Sequence, residues 1–74
     1  SLKRIVEQGT EVRMVKMADR INNLQPPPAH WDDAKKIRYR KEAGLILEVL
    51  GGGINPYIEA RLKQKIEDYG QYIN

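Results

Sequence analysis

Asp19 is the residue of this 74-residue chain whose type and setting suggest chemistry. It lies in the run Val15-Lys16-Met17-Ala18-Asp19-Arg20-Ile21-Asn22-Asn23-Leu24. Val12 and Val15 precede it on its own side of a helix, and a carboxylate in a helix buried on more than one side is costly unless its charge is neutralised. Asn22 and Asn23, three and four residues on, share its face. A carboxylate with amides one turn away looks like a site. The competing reading is ordinary: Asp19 pairs with Lys16 or Arg20 on an exposed edge, where most helical Asp residues lie.

The remaining candidates are weaker. His30 with Asp32 has a spacing that a metal could use, but a loop His followed by N-terminal helix anions explains it more simply. Gly51-Gly52-Gly53 follows a helix pattern and leads to Ile54-Asn55-Pro56. A phosphate cradle needs its glycines after a strand, with Lys-Ser/Thr following, so a helix cap and linker is expected instead. Lys35, Lys36, Arg38, Arg40 and Lys41 with Tyr39 form a basic patch that could meet nucleic acid. A solvated helix face offset by Asp32, Asp33 and Glu42 is the simpler account. Trp31 reads as a packing anchor, and Tyr57, Tyr69 and Tyr72 as half-buried rims of the last helix. No Ser/His/Asp or Cys/His nucleophile set is present, and the adjacent Glu67 and Asp68 diverge on a helix.

These residues must be positioned by helices, because no strand or hairpin signal appears. Lys3 to Gln8 reads as the tail of a helix, closed by Gly9. Thr10 is expected to cap the next helix, over Glu11 to Asn23, with an apolar stripe of Met14, Met17, Ala18, Ile21 and Leu24. Val12 and Val15 sit beside that stripe and widen the apolar surface. Pro26-Pro27-Pro28 ends the helix. A third helix is expected from Trp31 or Asp32 to Leu50, its charged first half in solvent and its apolar second half in a core. Gly51 to Gly53 stop it. Asn55 should cap a last helix with Pro56 in its first position, whose stripe is Ile58, Leu62, Ile66, Tyr69 and Ile73. The fold class is all-α, with about three helices.

Length and composition bound the rest. A chain this short supports one small domain, whose core rarely supplies more than about 3–5 kcal/mol. There is no Cys, so no disulfide can help, and one His rules out a Cys/His zinc staple. That leaves oligomerisation, further parts of a parent protein, or unusually good helix packing as the remedy. The net charge of +3, from 13 basic and 10 acidic residues, permits phosphate contact without requiring nucleic acid. No apolar run approaches the roughly 20 residues that span a bilayer. With no signal-peptide pattern, a cytoplasmic location is expected. The opening Ser1-Leu2 reads as a processing or cloning boundary.

Lys16-Met17-Ala18-Asp19-Arg20-Ile21-Asn22-Asn23 resembles the last motif of the HD-domain metal-dependent phosphohydrolases. The likeness is greatest to the hydrolase half of the guanosine polyphosphate synthetase/hydrolases and their small bacterial relatives, where a helix reads Lys-x-Ala-Asp-Arg-x-x-Asn. The Pro-rich break, His30-Trp31, and a helix ending Leu47-Glu48-Val49-Leu50-Gly51-Gly52 before an Asn-Pro start extend the resemblance over nearly the whole chain. It implies that residues 1–74 are the C-terminal helical part of an HD domain. It also implies that Asp19 is a metal ligand and Asn23 a substrate contact, with Lys16 and Arg20 matching motif positions near the substrate. The metal would be Mn, Fe, Mg or Zn, and the substrate a nucleotide or another phosphate ester.

The departure matters as much. The family's site needs an upstream His and a His-Asp pair before the final Asp, and the one His here, His30, follows Asp19. The expectation is a piece that is inactive by itself, completed in the intact parent by upstream helices, and homo-oligomeric when isolated. The alternative is a freestanding helical module that binds RNA or a partner protein through Lys35 to Lys41. No membrane partner is expected, and nucleic acid is the less favoured partner.

Overall fold

The computed structural model describes residues 2–74 and is all-α. Four helices, α1 (Leu2–Glu7), α2 (Thr10–Asn23), α3 (Asp33–Leu50) and α4 (Pro56–Tyr69), are followed by one 3₁₀ turn, Gly70–Tyr72. No helix among the described residues is long and apolar enough to cross a membrane.

The helix ends follow local chemistry. The Asp32 carboxylate accepts from the Lys35 amide at 2.8 Å and starts α3. The Asn55 side chain accepts from the Ile58 amide at 3.1 Å and starts α4, with Pro56 in the first turn. At α2 the expectation fails. Thr10 is already helical, and Gly9 caps α2 with no side-chain hydrogen bond. Gly9 takes φ +104°, a conformation open to glycine, so a single residue both closes α1 and opens α2.

Burial follows the helical period. Met17 and Ile21 of α2 and Leu24, which caps it, meet Ala43, Ile46 and Leu50 of α3, and Leu62 and Tyr69 of α4 complete the core. α4 packs on both α2 and α3, and the short α1 packs against α3 and α2. Tyr69 is not a rim residue: it is 1% exposed, between the rings of Tyr39 and Tyr72. Trp31 anchors the start of α3 edge-on to Tyr39, centroids 5.3 Å apart.

α3 does pass from solvent toward the core: its buried residues, Ala43, Ile46 and Leu50, all lie in the apolar second half, and no residue of the charged first half is buried. Tyr39 is half-buried, and Leu45 in the apolar half is 50% exposed. Two residues of the charged half turn inward. Arg40 donates from Nε to the Ile66 carbonyl at 2.8 Å, near the end of α4. Lys36 donates to the Tyr72 carbonyl at 3.0 Å. Both serve carbonyls that lack helical partners, at the end where a cation suits the helix dipole.

The linker 51–55 is fixed from both sides. Arg13 of α2 donates to the carbonyls of Leu50 (2.9 Å) and Gly51 (2.7 Å). Glu59 of α4 accepts from the amides of Gly53 (3.0 and 3.1 Å) and Asn55 (3.0 Å). The Gly53 and Asn55 amides therefore do hold an anion, but it is the chain's own carboxylate. The Asn55 and Gly53 amides lead in holding the Glu59 carboxyl below its ordinary value of 4.5.

Candidate functional site

Helix α2 carries every motif residue, and its packing decides where each one points. Met17, Ile21 and Leu24 fix its inner face. At about 100° per residue, Asp19 lies about 160° around the helix from both Met17 and Ile21. It therefore faces away from the core and is exposed. The expectation of a carboxylate in a helix buried on several sides is corrected: within this chain Asp19 carries no burial cost. Val12 and Val15 fall within about 40° of it. They are 38% and 66% exposed, so the broad apolar surface is real but uncovered.

Asn22 and Asn23 are exposed on the same outward strip. Asp19 has neither of the ion pairs considered for it. Among the described residues the recorded ion pair is Lys36–Asp33, at 3.8 Å. The outward strip thus presents one carboxylate, two amides and two valines.

Lys16 and Arg20 are rotated toward α1 and α3. Both are half-buried and line a groove with Leu2, Ile5, Leu45 and Ile46. The Arg20 guanidinium lies over the Tyr39 ring, 4.6 Å from its centroid. The Tyr39 hydroxyl donates to the Asn23 carbonyl at 3.3 Å, tying the end of α2 to α3. The structure therefore groups Asp19 with Asn23 and sends Lys16 and Arg20 to the adjoining flank.

Among the described residues no group of three or more His, Cys, Asp or Glu side chains could hold a metal ion. His30 is exposed in the loop before α3, and the Asp32 carboxylate beside it is engaged in capping. Asp19 alone supplies one carboxylate, whereas catalytic metal sites take about three protein ligands. These residues do not fit a complete metal centre, and no metal-dependent step is derived from them.

The basic patch divides in the same way. Lys36 and Arg40 are spent on backbone carbonyls, and Lys35 sits 4.7 Å from the Trp31 ring centroid. Arg38 and Lys41 remain exposed. Arg13, Lys36, Arg40 and Glu59 escaped the sequence reading because their partners lie in other segments or in an irregular turn. Comparison with known protein families and with curated proteins found no match.

Proposed function

We propose that this chain is the C-terminal helical part of an HD-type metal-dependent phosphohydrolase, with Asp19 as one ligand of a site completed by upstream residues. The observation that carries this reading is the outward strip of α2. Asp19 and Asn23, the residues to which the motif gives metal and substrate roles, stand together there beside exposed Val12 and Val15. A carboxylate flanked by uncovered apolar side chains is suited to an interface with further helices. Those helices would bury the valines and supply the remaining ligands, an upstream His and a His-Asp pair. A divalent ion held there would supply Lewis-acid activation of water. The part of this chain is one carboxylate oxygen donor, the Asn23 amide for the nucleotide or other phosphate-ester substrate, and a positive flank from Lys16 and Arg20. The alternative, an RNA- or protein-binding module acting through Lys35 to Lys41, has less support because Lys36 and Arg40 are engaged internally.

The test uses the longer reading frame upstream of Ser1. It should encode a His-Asp pair, and its product should bind Mn²⁺ or another divalent ion and hydrolyse guanosine tetraphosphate, a nucleotide monophosphate or a generic phosphate ester. Asp19→Ala should remove bound metal and turnover while leaving the far-ultraviolet circular dichroism unchanged. The 74-residue chain with Mn²⁺ or Mg²⁺ should not turn over. Turnover by the short chain that Asp19→Ala abolishes, or a longer protein indifferent to that substitution, overturns the proposal.

A further inference from the structure

A groove of about 380 Å³ lies where α1, α2 and α3 meet, on a different side of α2 from Asp19. Leu2 and Ile5 form one wall, and Leu45 and Ile46 another, with Leu45 50% exposed. Lys16 and Arg20, one turn apart, form the α2 wall, and Glu42 stands on the α3 side. Arg20 is the unusual member. Its guanidinium face is used by the Tyr39 ring, but stacking leaves the in-plane N–H donors free. Nη1 is shielded from solvent and has no acceptor among the described residues. A shielded donor without an acceptor carries its desolvation cost uncompensated. Nη1 is therefore closed to a partner's carboxylate as it is to water, and a group in the groove would meet the guanidinium at its other N–H donors. The groove joins an exposed apolar wall to two cations, Lys16 and Arg20.

We propose that this groove docks a partner helix, which inserts an apolar side chain between Leu2, Ile5 and Leu45 and places a Glu or Asp, one turn away, on Arg20. Each element of that occupant answers a feature of the walls. A carboxylate matches the guanidinium fork and makes the stronger, charge-assisted kind of hydrogen bond. A small oxyanion would leave Leu2, Ile5 and Leu45 uncovered, and a dianion would meet Glu42 across the groove. A singly charged side chain on a helix satisfies both conditions, and a Lys or Arg on the other edge of that helix would meet Glu42. Adjacent turns of one helix place the apolar and acidic groups on one face. The groove shares Lys16 and Arg20 with the phosphohydrolase reading but needs neither Asp19 nor a metal, so peptide binding by the 74-residue chain without metal tests it separately.

The probe is a labelled 16-residue helical peptide with a Leu stripe, Glu along one edge and Lys along the other. Its twin carries Gln for each Glu. Fluorescence anisotropy with the 74-residue chain should show the Glu peptide binding at least about ten-fold tighter than the twin, the scale on which a charged hydrogen bond acts. That preference should vanish in Arg20→Gln, and Leu45→Asp should weaken both peptides. If either variant unfolds, nuclear magnetic resonance of the unmodified chain decides. The Arg20 Nε–H and Leu45 methyl signals should both shift with the Glu peptide. Equal affinity of the twins, no binding up to millimolar peptide, or displacement of the peptide by inorganic phosphate that itself shifts Arg20 overturns the proposal.

Discussion

Arg13→Ala is expected to be among the most damaging surface substitutions in this chain, and the structure sets its scale. Arg13 spans two elements distant in sequence, with Nε on the Leu50 carbonyl at 2.9 Å and Nη2 on the Gly51 carbonyl at 2.7 Å. Hydrogen bonds to a charged group contribute about 1.5–3 kcal/mol each. A cation at a partly buried helix C-terminus adds up to about 2 kcal/mol, although this overlaps the same bonds. Once Arg13 is gone, water can reach carbonyls that are only part-buried, which returns some of the loss. The net cost should be about 2–3 kcal/mol. A domain of this size holds about 4–11 kcal/mol at the usual stability per residue, so the loss is a large share. At about 4–8 °C per kcal/mol, the thermal midpoint should fall by about 10–20 °C. Urea unfolding followed by circular dichroism measures this directly. Arg13→Lys should recover part of the loss, since one ammonium can serve one carbonyl. Asp19→Ala, on the outer face of the same helix, should stay within about 0.5 kcal/mol of the parent chain. An Arg13→Ala chain within about 0.5 kcal/mol of the original would refute the reasoning that these two bonds pin α2 to the 51–55 linker.

The Glu59 carboxyl is held below its ordinary value by the Asn55 and Gly53 amides, so the stability it contributes is fully present above 4.5 and is lost as pH falls through the lowered folded value. The urea midpoint of Glu59→Gln should lie below that of the original chain at pH 7, and the gap should close in acid; a gap unchanged down to pH 3 would count against the loop assignment. The Tyr69 hydroxyl is buried with no partner among the described residues, so Tyr69→Phe should leave the urea midpoint unchanged or raise it. A clear fall would mean that the hydroxyl has an acceptor. The purified 74-residue chain should self-associate through Val12 and Val15, and Val15→Glu, which adds a second carboxylate beside Asp19, should return it to monomer. Sedimentation at micromolar concentration decides this, and a monomeric original chain would defeat it.

The helix boundaries were legible because each is set by a local signal. The triple proline, the triple glycine, and the Asp32 and Asn55 side chains act within a few residues of themselves. Thr10 was misplaced because Gly9 at positive φ can end one helix and begin the next within a single residue, which removes the need for a hydroxyl cap. Two cations of α3 depart from its charge pattern for a different reason. Lys36 and Arg40 look like solvent residues by composition, yet their acceptors are carbonyls 36 and 26 residues away. No periodicity records which carbonyl ends up beside a flexible cation. The orientation of Asp19 was available in principle, since a stripe of Met17, Ile21 and Leu24 already places it on the opposite side of the helix. The neighbouring valines are a false sign of burial, because they share the outward strip and are exposed with it.

The two sides of α2 carry different burdens. Met17, Ile21 and Leu24 place the helix in the core, and Arg13 fastens it to the linker between α3 and α4. None of this requires Asp19, Asn22 or Asn23, which project outward from a helix already fixed on its other side. Substitutions on the outward strip therefore report on whatever meets that strip, with little contribution from folding. Arg20 belongs to neither group: its ring contact with Tyr39 serves the fold, while its place in the α1–α2–α3 groove is where the proposed partner helix would meet it. Its loss should thus have two separable consequences, a change in stability read in the isolated chain and a change in affinity read only against an acidic helix. On the proposed phosphohydrolase reading, Asp19 should have only the second kind, read against a divalent ion in a protein that carries the remaining ligands. Measuring both residues under both conditions distinguishes a docking groove from a metal-bearing strip, even though the two lie on one helix and one residue apart.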